Sequence, residues 1–523
     1  LNKTSPVRAG YLKPRLSGGT ERHVLTAFID ARTVPAGTTI DTDIAIVGGG
    51  PAGISLALAL APTPLRVVML ESGAFGFDGK TQDLYAGSES GYPYLKLESS
   101  RLRYLGGSSN HWGGWCRPLS EIDFEARDWM PHSGWPFARK EIAPYFKRAQ
   151  SLVEAGPFVY DKGETWAQSL GVPLTLAEGG VYTSWFQFSR TRDSVLPTHF
   201  GHRYGEDLRR IPRLAPYVHA NVTALRLAPD AASLERIDVA TLSGKTFSVK
   251  PKLAVVAAGA IENARLLLAS NDVAARGIGN ENDVVGRFFA DHAIPRDTAT
   301  LVIFDGQLAP FYTGNAILKG AILRATFSPT EDYQRARSLP GSLTTVENEV
   351  KLDELGQAAV ATTANALGVD AANAKAFSMG CGLELAPDPN RRLTLTGERD
   401  ALGMPRLHLA MHVADSNFAH YRETMKELGR QLLAARIGMI RLNQQTHADW
   451  QHVMDWGNHH MGTTRMSADS KQGVVDADCK VHGVANLYVA GSSVFPTYGA
   501  SNPTMNLVAL ALRLATHLRK QFA

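Results

Sequence analysis

Three glycines, a glutamate, three histidines and an asparagine carry the residue types and spacings in this chain that could do chemistry. Gly48, Gly50 and Gly53 follow the apolar run Ile44–Val47 on the pattern G-x-G-x-x-G. In such a turn the first glycine allows a tight bend and the second lets a pyrophosphate approach the backbone. The third lets a helix pack closely on a strand. Glu71 stands eighteen positions beyond Gly53, where a carboxylate can take both ribose hydroxyls of an adenosine. His111, Trp112 and Trp115 close the small-residue segment LGGSSNHWGGW. That segment reads as backbone lying against a large flat ligand, or as a glycine-rich turn with aromatic packing. Towards the C-terminus, His459 and His460 sit in HHMGTT and Asn502 precedes Pro503 and Thr504. Histidine titrates near neutral pH and can serve as a general base. Taken alone, a buried histidine and a helix cap explain His459 and Asn502 equally well.

The elements that must position these residues follow from local pattern. Ile44–Val47 is a continuous apolar run, as in a parallel strand buried on both faces. Ile54–Ala61, rich in Leu and Ala and ended by Pro62 and Pro64, is predicted helical, and Arg66–Leu70 is a second strand delivering Glu71. The glycine- and tyrosine-rich stretch after Glu71 has little periodicity and is expected to form a lid or binding loop. Ala143–Ala155 has amphipathic spacing. Val218–Ala228 and a return strand at Leu253–Ala257, followed by a helix at Ile261–Ser270, resume the nucleotide fold and place Val222 to touch an adenine. Ser378–Val413 alternates like antiparallel sheet, and Asn417–Ile440 has helical spacing. Leu487–Ala490 is another buried strand, ending in Gly491-Ser492. Asn502 as cap and Pro503 in the first helical position start an apolar helix over Thr504–Leu518.

With 523 residues, the chain is long enough for two or more cores. Hydrophobic content of 44% and charged content of 20% describe a globular protein. A net charge of +4 without a dense basic run gives no nucleic-acid signature. Cys116, Cys381 and Cys479 are too far apart for a disulfide framework or a metal site. The basic N-terminus lacks an apolar core, and three consecutive glycines interrupt the one tempting apolar stretch. A cytoplasmic protein without a membrane span is therefore expected. Residues 1–40 read as an irregular arm used in packing or self-association.

Four separated segments resemble the glucose–methanol–choline family of FAD oxidoreductases, in family order. They are the dinucleotide turn with Glu71, GGSSNHW, VVAAGAIENARLLL, and HHMGTTRM with NLYVAGSSVFPTYGASNPT. H-x-M-G followed by N-P-T looks most like the pyranose oxidases and the bacterial sugar dehydrogenases. The resemblance implies an α/β fold: a discontinuous Rossmann-like FAD-binding domain (1–130, 218–300 and 447–523) and an α+β substrate domain with an antiparallel sheet (131–217 and 301–446). It implies FAD, no metal, and oxidation of an alcohol, a secondary hydroxyl of a sugar or glycoside, by hydride transfer to flavin N5. Electrons would pass to oxygen, a quinone or another acceptor.

Carried over by position, the resemblance puts the catalytic base at His459, three before Gly462, with His460 behind it. Asn502 takes the second catalytic position. Cofactor contacts fall at Gly48, Gly50, Gly53, Glu71, Gly107, Ser108, Asn110, His111, Val222, Ala258, Gly491, Ser492, Pro503 and Thr504. His111 matches a histidine that carries a covalent flavin link in pyranose oxidases. There the segment reads STHW and here SNHW, so FAD is expected to be held mainly non-covalently, with His111 near its dimethylbenzene edge. A helix N-terminus at Pro503 would face negative charge developing at flavin N1 and O2. Competing readings are an oxidoreductase of aryl or aliphatic alcohols and a non-redox enzyme, like a hydroxynitrile lyase, with structural FAD. A flavoprotein monooxygenase shares the first motif but lacks the C-terminal histidine motif.

Overall fold

The computed structural model describes residues 27–160, 164–170, 176, 179–190, 197–444 and 446–523. Most of the expected N-terminal arm lies outside the described residues. The first sheet holds eight strands, and its centre is the strand Thr39–Val47. On one side of it Val67–Leu70, Leu214–Val218 and Ile29–Asp30 follow in parallel. On the other side lies the long strand Thr246–Val256, also parallel. That strand serves two neighbours: its first half pairs antiparallel with Leu234–Ala240, and Ala254–Val256 pairs in parallel with Leu487–Val489. Three stretches distant in sequence therefore bring their strand ends to one edge. Of the strands predicted at Ile44–Val47 and Arg66–Leu70, residues 44–47 and 67–70 are buried on both faces, as a parallel sheet covered by helices requires.

Two helices cover the sheet where the glycine turn ends. Pro51–Leu60 starts with Pro in its first turn, is built of Leu, Ala and Ile, and stops where Pro62 and Pro64 forbid continuation. It is buried nearly all round because it is wedged against the C-terminal helix Pro503–Lys520. That second helix ends in Arg519 and Lys520, cations placed favourably at the negative end of its dipole.

The second sheet has ten strands and is antiparallel. Its main path runs Gly438–Leu442, Ala299–Ile303, Lys375–Leu383, Ser342–Val350, Ala321–Pro329, Val181–Phe188, Trp115–Cys116. Both sheets share one large hydrophobic core. Cys116, Cys381 and Cys479 are buried and unbridged. Among the described residues no helix is long and apolar enough to cross a membrane.

Several expected boundaries move. Val218–Ala228 is two strands, Leu214–Val218 and Asn221–Leu227, because His219 takes a positive φ of 57° and breaks the run. Ser378–Val413 is divided between sheets: Arg392–Arg399 and Pro405–Met411 form a separate hairpin. Gly87–Gly91, within the expected lid, adds to that hairpin in parallel and pins it. The helical spacing of Asn417–Ile440 covers a helix, Asp415–Ala434, and then a strand from Gly438. Ala293–Pro295 and Met454–Trp456, both within the expected FAD-binding segments, pair with one another and join the second sheet through Lys375–Leu383.

Candidate active site

A deep cavity lies where the parallel strands end and the second sheet begins, and it extends from the glycine turn to His459. Gly48 bends the chain at φ 112°, a value that L side chains rarely adopt, and a Cβ there would sit 2.5 Å from the Ala257 carbonyl. A Cβ at Gly53 would come within 2.0 Å of the Gly48 carbonyl, so helix and turn are in direct backbone contact. At Gly50 a Cβ would meet nothing within 4 Å. The backbone there is bare towards the cavity, at the N-terminus of Pro51–Leu60, where unpaired N–H groups favour an anion. Glu71 is buried at the end of its strand, and its carboxylate accepts from the Gly49 and Gly73 N–H groups at 2.8 and 2.7 Å.

A second glycine turn leans on the first: a Cβ at Gly107 would lie 3.2 Å from Gly50 Cα. Gly107, Ser108 and His111 line the cavity, and His111 is exposed towards it. Asn110 does not. Its amide donates to the Leu105 and Gly107 carbonyls and ties the turn together from behind. Gly53 is likewise a packing glycine rather than a wall. The other expected positions, Val222, Ala258, Gly491, Ser492, Pro503 and Thr504, all line the cavity, as do His459 and Asn502. His460 was expected behind the site. It is buried on the cavity wall, its Nε2 without a partner among the described residues, and burial pushes its pKa down to about 3.

Sequence reading missed a buried cationic wall. Arg101 and Arg103 stack on the Tyr85 ring at 3.8 and 4.7 Å. Arg103 and Arg265 both donate to Glu262 Oε1, at 3.1 and 3.2 Å, and Arg265 also pairs with Asp400 at 2.7 Å. Burial alone would raise the Glu262 carboxyl, but the three guanidiniums outweigh it and hold the pKa at about 2. Three guanidiniums thus face two carboxylates, and among the described residues Arg101 keeps Nε and Nη1 without a partner although it is buried. The available signal was R-x-R just ahead of the Leu-Gly-Gly turn, with Glu262 and Arg265 three apart on one helix. Asn263 was missed too. Its amide joins Ala258 N–H to the Ala490 carbonyl and so locks two strand ends together.

At the far end, Asn502 occupies the cap position of Pro503–Lys520 but makes no side-chain bond to that helix. Its Nδ2 lies 3.0 Å from His459 Nε2 instead. His459 Nδ1 lies 2.9 Å from His292 Nδ1, and His292 Nε2 lies 2.9 Å from the Gly499 carbonyl. The His459 backbone N–H donates to Asp291 Oδ1 at 2.8 Å, and the Tyr94 hydroxyl donates to Oδ2 at 2.6 Å. Burial, together with the neighbouring His292 and His460, lowers the His459 pKa well below the usual range. Burial raises Asp291 to about 7.

The description GMC oxidoreductase, the glucose–methanol–choline family, matches residues 387–511, which include both His459 and Asn502. The C-terminal part of the chain thus matches this family. It is 28% identical to the fructose dehydrogenase large subunit of Gluconobacter japonicus, over 52% of this chain and 48% of that protein. That match spans about half of the relative's length. It is 24% identical to the 6'''-hydroxyparomomycin C oxidase of Streptomyces lividus over 91% of this chain and 92% of the relative. The fold is shared with pyridoxine 4-oxidase from Mesorbium loti, with a TM-score of 0.62 and 18% identity over 92% of this chain and 99% of that one.

The protein is an oxidoreductase, and its cofactor is FAD. The cavity fits that group on three counts. Bare backbone at Gly50 leaves room for a diphosphate, Arg101 offers unused N–H groups beside a net positive wall, and Glu71 stands at the strand end where a ribose belongs.

Proposed function

We propose that the enzyme oxidises a secondary hydroxyl of a sugar or glycoside, with His459 as base and Asn502 as its partner on the substrate oxygen. The observation that carries this reading is the 3.0 Å contact between Asn502 Nδ2 and His459 Nε2 on the cavity wall. A substrate hydroxyl entering between them gives its proton to Nε2 while its oxygen accepts from Nδ2. One imidazole and one amide then hold the alkoxide and fix the direction of the C–H bond. Bound FAD supplies the two-electron acceptor for the hydride that leaves the carbon.

The residues that would hold it divide by chemistry. Gly48, Gly50 and Arg101 suit the diphosphate, Glu71 the ribose and Val222 the adenine. Gly107, Ser108, His111, Ala258, Gly491, Ser492, Pro503 and Thr504 suit the remainder, with Pro503 presenting a helix N-terminus. Gly53 and Asn110 act one layer back, on the turns. His111 contacts the group without a covalent link in this reading. The FAD-binding unit comprises roughly residues 1–130, 218–300 and 447–523, and the antiparallel sheet forms the substrate unit. Trp115 supports that division, since it lines the cavity while packing on Phe186 and Phe188 of the sheet at ring distances of 5.2 and 4.8 Å.

The sugar class rests on the relatives: a fructose dehydrogenase and a hydroxyparomomycin oxidase each act on a hydroxyl-bearing compound. Electrons leave to oxygen, a quinone or another acceptor. Three buried, unbridged cysteines accord with a cytoplasmic location. The test is anaerobic flavin bleaching across free sugars, glycosides, polyols, aryl alcohols and cyanohydrins. Bleaching by sugars or glycosides is expected. Bleaching only by aryl or aliphatic alcohols overturns the substrate class, and cyanohydrin cleavage without any bleaching overturns the redox reading.

A further inference from the structure

Hydrogen-bond chemistry along the row Gly499, His292, His459, Asn502 leaves little freedom in where the protons sit. The Gly499 carbonyl can only accept, so His292 must carry a proton on Nε2 to bond it at 2.9 Å. His292 is buried, and burial brings its pKa down to about 4 against the opposing pull of the Gly499 carbonyl and the Glu384 charge. It is therefore neutral at rest, and its Nδ1 is an acceptor. The partner 2.9 Å away, His459 Nδ1, must then be the donor. A neutral His459 with its proton on Nδ1 has a bare lone pair on Nε2, which faces the Asn502 amide.

We propose that His292 is a positioning residue: it fixes His459 in the tautomer with a free Nε2 and takes over the second imidazole proton during turnover. The inference rests on the reading of His459 as the base. When the substrate O–H bond breaks, its proton goes to His459 Nε2. The proton on His459 Nδ1 passes to His292 Nδ1, and the pair carries one positive charge, on His292. His459 ends neutral, with its proton on Nε2. The two electrons of the substrate C–H bond leave with the hydride, as above.

The surroundings favour charge on His292 rather than on His459. The carboxylate of Glu384 acts on His292 and accepts from the Gly499 and Tyr498 N–H groups at 3.0 Å. His459 instead faces His460 and His292, both of which oppose a positive charge on it. The other ionisable groups around the pair are Asp291 with Tyr94, Tyr498 in edge contact with the His292 ring, and Asp123 and Arg127 beside Glu384. Nothing in the sequence segment GRFFADH distinguishes His292 until the fold brings it to His459.

The test uses the FAD-loaded enzyme labelled with [15N]histidine, with the His459 resonances assigned by their loss in His459→Ala. Wild type should show His459 protonated on Nδ1; protonation on Nε2 overturns the proposal outright. His292→Phe removes the acceptor. It should release His459 to the other tautomer and slow anaerobic bleaching by the best alcohol on the order of 10²-fold or more, since a misplaced imidazole proton can cost up to about 10⁴. His292→Gln offers an acceptor and a donor but cannot take a proton. It should restore the tautomer while leaving bleaching several-fold below wild type. A Phe variant with wild-type tautomer and rate makes His292 mere packing, and a Gln variant at full rate removes the proton-uptake step. Failure of the parent reading looks different: His459→Ala itself would then bleach at the wild-type rate.

Discussion

The Asn502 amide nitrogen lies 3.0 Å from His459 Nε2, and Asn502 gives no side-chain bond to the helix it precedes. An asparagine in that position could have capped the helix, and the geometry shows that it does not. Asn502→Ser should therefore keep or slightly raise the melting temperature, because serine caps as well as asparagine. Flavin reduction should slow on the order of 10²-fold for want of reach to the substrate oxygen. Asn502→Asp should slow it as well, since a carboxylate would oppose the negative charge developing on the oxygen. Stopped-flow reduction under anaerobic conditions, with thermal melts alongside, checks both.

The pH dependence of reduction follows from the sign of the His459 shift. Burial and two neighbouring imidazoles lower its pKa, so the base form persists below the ordinary range of histidine. The rate of reduction at saturating alcohol should stay flat as the pH falls from 8 through 6.5. A rate that halves near pH 6.5 would show a solvated histidine, or another base altogether.

Those parts of the site that depend on local spacing were legible in the sequence. Gly48, Gly50, Gly53 and Glu71 each act within one strand–turn–helix–strand unit, and the sequence contains that unit whole. His292 was not legible, because its partner is His459 and only the pairing of Ala293–Pro295 with Met454–Trp456 brings the two together. Arg101 and Arg103 were passed over for a similar reason: their partner Glu262 lies on a helix far along the chain. The helical periodicity of Asn417–Ile440 ran past Ala434 because Ile440 and Met439 suit either element, and Arg436 at φ 58° ends the helix.

Gly50 and Gly53 should separate binding from folding. Gly50 has a φ of −82°, and a Cβ there would point into open space. Gly50→Ala should leave the melting temperature of the apoprotein unchanged while FAD retention falls. Gly53→Ala would force a methyl to within 2.0 Å of the Gly48 carbonyl, and should cost about 1–3 kcal/mol or more as overpacking. Urea unfolding of the apoprotein and FAD titration measure the two effects independently. Equal behaviour of the two variants would contradict the assignment of their roles.

Arg101 contributes to the same site through charge. Among the described residues its Nε and Nη1 have no partner, whereas Nη2 lies 3.7 Å from Glu262 Oε2 and the guanidinium stacks on Tyr85, so Arg101→Met removes two unused N–H donors together with one of the charges facing Glu262. The apoprotein should lose stability with that charge and stack, which a thermal melt reads separately, and FAD should dissociate at least tenfold more readily, by analogy with other hydrogen bonds to charged groups. Flavin released on gel filtration reports it.

Arg127 and Glu384 form an ion pair with both side chains inaccessible to solvent, Nη1 3.2 Å from Oε2. Glu384 also holds the Gly341, Tyr498 and Gly499 N–H groups, so one carboxylate organises the loop that carries the acceptor of His292. Burial alone would raise the Glu384 pKa, but Arg127 and the backbone donors hold it below the ordinary value. Arg127→Met should destabilise the fold by about 3–5 kcal/mol, because it leaves a buried carboxylate without its counter-charge. The double variant Arg127→Met/Glu384→Gln should lose less, since a neutral amide needs no counter-charge. The sign of the pH effect follows. In wild type the depressed pKa contributes stability that is present above the unfolded value and lost as pH falls through the folded one. In Arg127→Met the same carboxyl is raised by burial, so the native state binds a proton more tightly than the unfolded chain. The deficit of the single variant should therefore shrink between pH 7 and 5, and that of the double variant should stay constant. Urea unfolding at the two pH values decides it, and a deficit independent of pH would show that the lost packing of Arg127 matters more than its charge.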